Sequence, residues 1–129
     1  MNLKGRRIFQ GKASGEALVT KEAISFYGGV DPETATVVEK GHQLEGQRIA
    51  GKVLCFPKGK GSTVGSYVLY QLKKTGKAPA AIVNKECEAI VAVGCIISEI
   101  VAVDRIDIDR INTGDVVEVD GDNGVVTVK

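Results

Sequence analysis

The chain has 129 residues, enough for one compact domain with a real core, and its 43% hydrophobic and 26% charged residues keep it out of the disordered class. A net charge of +1, no long basic tract and only 5% aromatic residues argue against nucleic acid as a partner. No apolar run approaches the ~20 residues of a bilayer-spanning helix. The amino-terminal MNLKGRRIFQGK carries charge but no apolar segment of leader length, so no membrane association is expected.

In chain order, the first fifty residues read as short β-type runs between glycine turns: RRIFQ, EALVT, AISFY and TATVVE. GGVDPET (28–34) has strong turn chemistry, with paired glycines ahead of Asp31 and Pro32. EKGHQLEGQRIAG is polar and expected to be irregular. KVLCF (52–56) is a short, nearly continuous apolar strand of the kind buried on both faces.

In TVGSYVLYQLKKTGK, Val64, Val68 and Leu72 recur at helical spacing, Lys73 and Lys74 fall in the last turn, and Gly76 stands at the C-terminal cap. Ser62 is the expected N-cap. PAAIV (79–83) is a further strand, followed by a short helix near 88–97 and a strand around Val101 to Val103. Strand–helix–strand–helix–strand implies a parallel core. GDVVEVDGDNGVVTVK reads as a valine-rich hairpin turning at DGDNG. An α/β fold follows, a layered β/β/α domain over residues 1–129 with a β-hairpin C-terminus. Cys55, Cys87 and Cys95 are odd in number, lie in apolar runs and lack C-x-x-C spacing. They read as reduced core thiols of a cytoplasmic protein, and no metal site is expected from this chain alone.

PKGKGSTVGSY (57–67) concentrates the chemistry. A strand that ends in a glycine-rich turn and opens a helix presents unpaired N–H groups and the positive end of the helix dipole, which favour a phosphate or carboxylate. Gly59, Gly61 and Gly65 would permit close approach to the backbone, and Lys58 and Lys60 could add charge. The stretch matches neither nucleotide-loop fingerprint. A tight turn before a capped helix, with solvated lysines, explains it equally well. The same electrostatics could also hold a serine alkoxide in a closed, dry site, and Ser62 at the helix boundary has the best position for that. Ser66 is expected to face solvent or a helix contact.

Several segments together resemble the small subunit of the aconitase X family: GKASGEALV, ISFYGGVDPET, Gly41–His42, VLCFPKGKGSTVGSYVLYQL, APAAIV and INTGDVVEVDGDNGVVTV. The resemblance spans essentially the whole chain, and the GST-x-GS segment is its most specific part. It implies a swivelling β/β/α domain, as in the mobile domain of aconitases, that is half of an enzyme. A separate large subunit would carry a [4Fe-4S] cluster, and the active site would form between the two. The implied reaction removes water from (R)-5-phosphomevalonate to give trans-anhydromevalonate 5-phosphate, a step of an archaeal mevalonate route. Ser62 falls on the family's proton acceptor, positioned to take the C2 proton while the cluster acts on the leaving C3 hydroxyl. In ordinary aconitases an arginine closely follows the serine; here Thr63, Val64 and Gly65 do. Binding of the small phosphorylated hydroxy acid then falls to Lys58, Lys60, the backbone at Gly61 and Thr63, or the large subunit. A proline often follows the family's histidine, where Gln43 stands here. Dehydration of cis-3-hydroxy-L-proline is the rival activity within the family.

Other residues carry weaker signals. His42, the only histidine, reads as a surface residue of a polar loop, with a phosphohistidine carrier as the competing function. Asp31 could touch substrate or partner, or only shape its turn. Arg6 and Arg7 read as an exposed pair, and Glu86, Glu88 and Glu99 as solvated helix edges. A non-catalytic assembly module is the remaining alternative.

Overall fold

The computed structural model describes residues 1–129. Two short strands open the chain, β1 (Asn2–Lys4) and β2 (Arg6–Phe9), followed by the long β3 (Lys12–Val19). An irregular turn, α1 (Phe26–Gly29), leads into the two-residue strands β4 (Val30–Asp31) and β5 (Thr36–Val37). The α/β centre comprises β6 (Val53–Phe56), α2 (Gly65–Lys74), β7 (Ala81–Asn84), α3 (Ala89–Ser98) and β8 (Val101–Asp104). A 3-10 turn at Ile108–Arg110 precedes the closing hairpin of β9 (Val116–Asp120) and β10 (Val125–Val128).

One eight-stranded sheet runs in the order β1-β10-β9-β3-β6-β7-β8-β2 and folds into two layers. β3 belongs to both. Its residues Lys12 to Glu16 pair antiparallel with β9, while Ala17 to Val19 pair parallel with β6. At the other margin β1 joins β10 and β2 joins β8, with only Gly5 between them. A side chain at Gly5 could not fit, since a Cβ would lie 2.1 Å from the Asp104 carbonyl oxygen.

Strands β6, β7 and β8 are parallel neighbours of mostly apolar residues, buried on both faces, under the helices on one and under the hairpin layer on the other. Val53, Cys55, Ala81, Val83 and Val103 face one core, shared with Val117, Val119 and Val126 of the hairpin. Leu54, Phe56, Ile82 and Ala102 face a second core, shared with Val68, Leu69 and Leu72 of α2 and Val91 and Cys95 of α3. The layered β/β/α reading, the two central helices and the hairpin all match the sequence expectations.

Three local expectations do not. AISFY is not a strand: Ile24 makes a single bridge to Gly59, and Phe26 packs its ring edge-on to Phe56 at 5.9 Å. TATVVE yields only Thr36–Val37 as strand. β1 escapes the sequence reading, and β3 begins at Lys12, well before EALVT.

Candidate active site

The stretch 57–64 leaves the C-terminal end of β6, at the end of a parallel sheet where α/β folds form their crevices. It is fastened on both sides. On one, Ile24 N–H donates to Lys58 O at 3.2 Å and Lys60 N–H donates to Ile24 O at 3.0 Å. On the other, Glu86 N–H donates to Pro57 O at 3.1 Å, and the buried Asn84 donates through Nδ2 to Phe56 O at 3.0 Å.

The glycines answer chiefly to this packing. A Cβ on Gly59 would lie 2.6 Å from Glu88 Oε1, and one on Gly61 would lie 2.6 Å from Ser25 Oγ. Gly61 also has φ +89°, which a residue with a Cβ adopts only under strain. The space beside both glycines is thus occupied by the chain's own atoms, so close approach to the backbone serves the fold first.

Ser62 is exposed and does not cap α2 in the expected way. The helix begins at Gly65 with Val64 at its N-cap, which makes no side-chain cap bond. Ser62 shapes the turn before it: Val64 N–H donates to Ser62 Oγ at 3.1 Å, and Gly65 N–H donates to Ser62 O at 3.0 Å. The N–H groups of Gly61, Ser62 and Thr63 have no acceptor within the chain. The serine oxygen therefore already receives one amide dipole, just ahead of the positive end of a helix, and its loop carries further unpaired N–H groups, features that favour an oxyanion.

Thr63 is exposed beside it and lines a groove between α2 and α3. Lys60 is not a free cation, because its Nζ lies 2.9 Å from Glu39 Oε2. Lys58 is exposed. Asp31 lines a second groove beside Val64 and Tyr67, while its Oδ1 accepts from Glu33 N–H at 2.9 Å, the turn-shaping role. Ser66 is buried and donates to Ile90 O at 2.9 Å, a helix–helix contact.

The family whose model describes the aconitase X swivel domain matches residues 2–128. This chain belongs to that family. The phosphomevalonate dehydratase small subunit of Methanocella arvoryzae is 59% identical to this aconitase X swivel chain over 129 residues, covering 98% of each. That of Thermococcus kodakarensis is 56% identical over 128 residues, covering 99% of this chain and 96% of its own. The crystal structure of Thermococcus kodakaraensis aconitase X in its holo-form superposes with a TM-score of 0.98 at 54% identity, covering 100% of this chain and 98% of the other. The relatives' designation as small subunits implies a larger partner chain.

Within this aconitase X swivel fold, several side chains take roles the sequence did not announce. His42 is buried rather than a surface residue of its loop. Leu44 N–H donates to its Nδ1 at 3.0 Å, which leaves Nε2 to donate to Ala23 O at 3.0 Å. With both ring nitrogens bound to backbone, the imidazole ties two loops together and has no free nitrogen for phosphoryl transfer. Arg6 is not part of a simple exposed pair: Nε and Nη2 reach the buried Asp104 carboxylate at 3.0 and 2.8 Å. Glu88 caps α3, accepting from Ile90 N–H at 2.9 Å and Val91 N–H at 2.8 Å.

No three His, Cys, Asp or Glu side chains come together as a metal-holding group. Burial pushes the Cys55 and Cys87 thiols up to about 12, the latter also through Asp104 and Glu88, and pushes Cys95 well up. The three cysteines do not gather with one another or with acidic side chains into such a group, so this chain's residues do not make up the ligand set of the cluster that the family implies.

Missed residues include Glu39, Ser25 and Asn84. Their sequence neighbourhoods carry no signal, since each acts on a segment more than twenty positions away. Glu88, directly before an apolar helical run, was the one cap legible from its position.

Proposed function

We propose that this chain is the small subunit of a phosphomevalonate dehydratase and that Ser62 is its proton acceptor. The observation that carries the reading is the exposed Ser62 Oγ with the Val64 N–H at 3.1 Å, on a loop fastened by backbone bonds to Ile24 and Glu86. The relatives' names point to the same activity.

In the reaction the Ser62 alkoxide removes the C2 proton next to the substrate carboxylate, the electron pair forms the C2–C3 double bond, and the C3 hydroxyl departs as hydroxide. The proton taken up by Ser62 Oγ then passes to that hydroxide or to solvent, which completes the loss of water and restores the alkoxide. The amide dipole of Val64 and the start of α2 lower the energy of the alkoxide, an effect that grows once a partner excludes water. The exposed Lys58 is the unpaired cation of the loop for the substrate's phosphate or carboxylate, and Lys60 joins it on exchanging the Glu39 carboxylate for that anion. Gly61 and Thr63 offer backbone donors to the same anion. Asp31 borders the site on the far side of Val64. A [4Fe-4S] cluster carried by the large subunit supplies Lewis acidity toward the leaving hydroxyl. Residues 1–129 act as one swivelling domain. No helix is long and apolar enough to cross a membrane, and the three cysteines are unpaired, as suits a cytoplasmic enzyme.

The test is anaerobic reconstitution with the large subunit, followed by separate incubation with (R)-5-phosphomevalonate and cis-3-hydroxy-L-proline. Formation of trans-anhydromevalonate 5-phosphate is the expected result. Turnover of the hydroxyproline alone would reassign the substrate.

A further inference from the structure

The most exposed aromatic side chain of the fold stands one turn beyond the serine. Tyr67 is 68% exposed on α2 and forms a ridge between two apolar grooves. One groove runs between α2 and α3, lined by Tyr70, Ile90, Val93 and Ile97, and holds about 600 Å³. The other lies between α2 and the 27–38 segment, lined by Tyr27, Val30, Val38 and Val64. Among the exposed large apolar side chains, all but Met1, Ile96 and Val116 line one of these grooves. Water gains nothing from such a surface, and contiguous apolar patches of this kind mark places another chain covers.

We propose that this face, crested by Tyr67, is the seat of the large subunit. The inference rests on the dehydratase reading for the existence of that subunit, and on continuity for its location. Thr63 lines the first groove and Val64 the second, and both follow Ser62 directly in the chain. A polypeptide that closes over the Ser62 hydroxyl therefore reaches both grooves as it does so. The face has the character of an interface centre. Its ridge is a tyrosine, a side chain enriched at binding hot spots because it buries a large area with few rotors. It carries little charge: no charged side chain lines the first groove and only Asp31 lines the second, while Lys74 Nζ lies 5.9 Å from the Tyr70 ring centroid. Ser66, the buried hydroxyl of the first groove, already donates to Ile90 O. The occupant is thus an apolar surface whose side chains fill two clefts on either side of a fixed aromatic ring. The same contact excludes water from the serine.

The experiment measures affinity between the purified small subunit and the cluster-loaded large subunit by sedimentation velocity. Tyr67→Glu and Val93→Glu place a charge in the proposed centre and should each weaken the complex at least about 30-fold. Val116→Glu, on an exposed strand position of the hairpin layer, should leave affinity within twofold. Melting curves of each isolated variant verify the fold, and Tyr67→Ser with Val93→Ser serve if a glutamate variant does not fold. Wild-type affinity in the Tyr67 and Val93 variants would overturn the proposal. So would a self-associated small subunit that these variants render monomeric without loss of large-subunit affinity, which would assign the face to a second copy. The two readings separate cleanly. If the Tyr67 variants bind normally while the wild-type pair dehydrates phosphomevalonate, the interface falls and the function stands. If the variants lose the complex while the wild-type pair dehydrates neither substrate, the function falls and the interface stands.

Discussion

A serine hydroxyl works as a base only where its oxygen is paid in electrostatics for losing a proton, and Ser62 Oγ has the beginnings of that environment in the Val64 N–H and the start of α2. Backbone bonds from Ile24 and Glu86 and the Asn84 side chain hold residues 56–60, so the turn that carries Ser62 starts from an anchored segment. Beneath this region, Asp104 shows charge used for structure. Burial alone would push its carboxyl up, but the Arg6 guanidinium, the Cys87 N–H and Arg105 outweigh burial and hold it below the usual 3.8. A carboxyl lowered in the folded state contributes stability that is complete above its unfolded value and is lost as pH falls through the folded value. Urea midpoints should therefore drop as pH is lowered from 5 through the range below 3.8, and Asp104→Asn should flatten that drop while lowering the midpoint at pH 7. An unchanged acid slope in the variant would show that Asp104 is not its source. Ser62 drew attention in the sequence because hydroxyls, glycines and lysines crowd one strand-to-helix junction. The burial of His42 and the pairing of Lys60 with Glu39 were not, because a polar loop pattern looks the same whether its side chains point to water or to a distant backbone carbonyl.

At the scale of elements, the site depends on how α2 meets α3. Gly94 of α3 lets the helices touch: a Cβ there would lie 2.5 Å from Leu69 Cδ1 and 3.3 Å from Ser66 Cα. Leu69 is fully buried in the same contact. Leu69→Ala should cost about 2–5 kcal/mol through the cavity it leaves, and Gly94→Ala about 1–3 kcal/mol through overpacking. The double variant should cost less than their sum, because the added methyl enters space the leucine vacates; chemical denaturation of all three variants checks this, and strict additivity would show the two positions do not share a contact. α2 and the hairpin were legible from periodicity, through 3.6-residue spacing and two-residue alternation, whereas the run through α3 and β8 is apolar throughout and suits helix or strand until length and flanking residues divide it. AISFY misled for the same reason. Its alternating Ile24 and Phe26 do point inward, but against Phe56 and the loop after β6 instead of within a sheet, a distinction that only tertiary packing makes.

For the molecule as a whole, the fold is a rigid carrier for one open site. Two cores on either side of the parallel strands fix the sheet, the sheet fixes the loop after β6, and the loop presents Ser62 at the edge of an apolar face. The chain's own His, Cys, Asp and Glu side chains do not gather into a metal-holding group, and on the proposed reading the large subunit supplies the cluster. The overall layering was legible in the order of elements, whereas the crossing of β3 between layers was not, because a strand that changes partners midway has the same alternation throughout. The central claim is that the Ser62 oxygen takes the substrate proton, and the most direct measurement compares wild-type and Ser62→Ala chains reconstituted with the large subunit on (R)-5-phosphomevalonate. The account predicts that kcat falls about 10²–10⁴-fold, with C2 hydrogen exchange into deuterated water lost in parallel and subunit affinity unchanged. Wild-type turnover and exchange in the Ser62→Ala complex would contradict it.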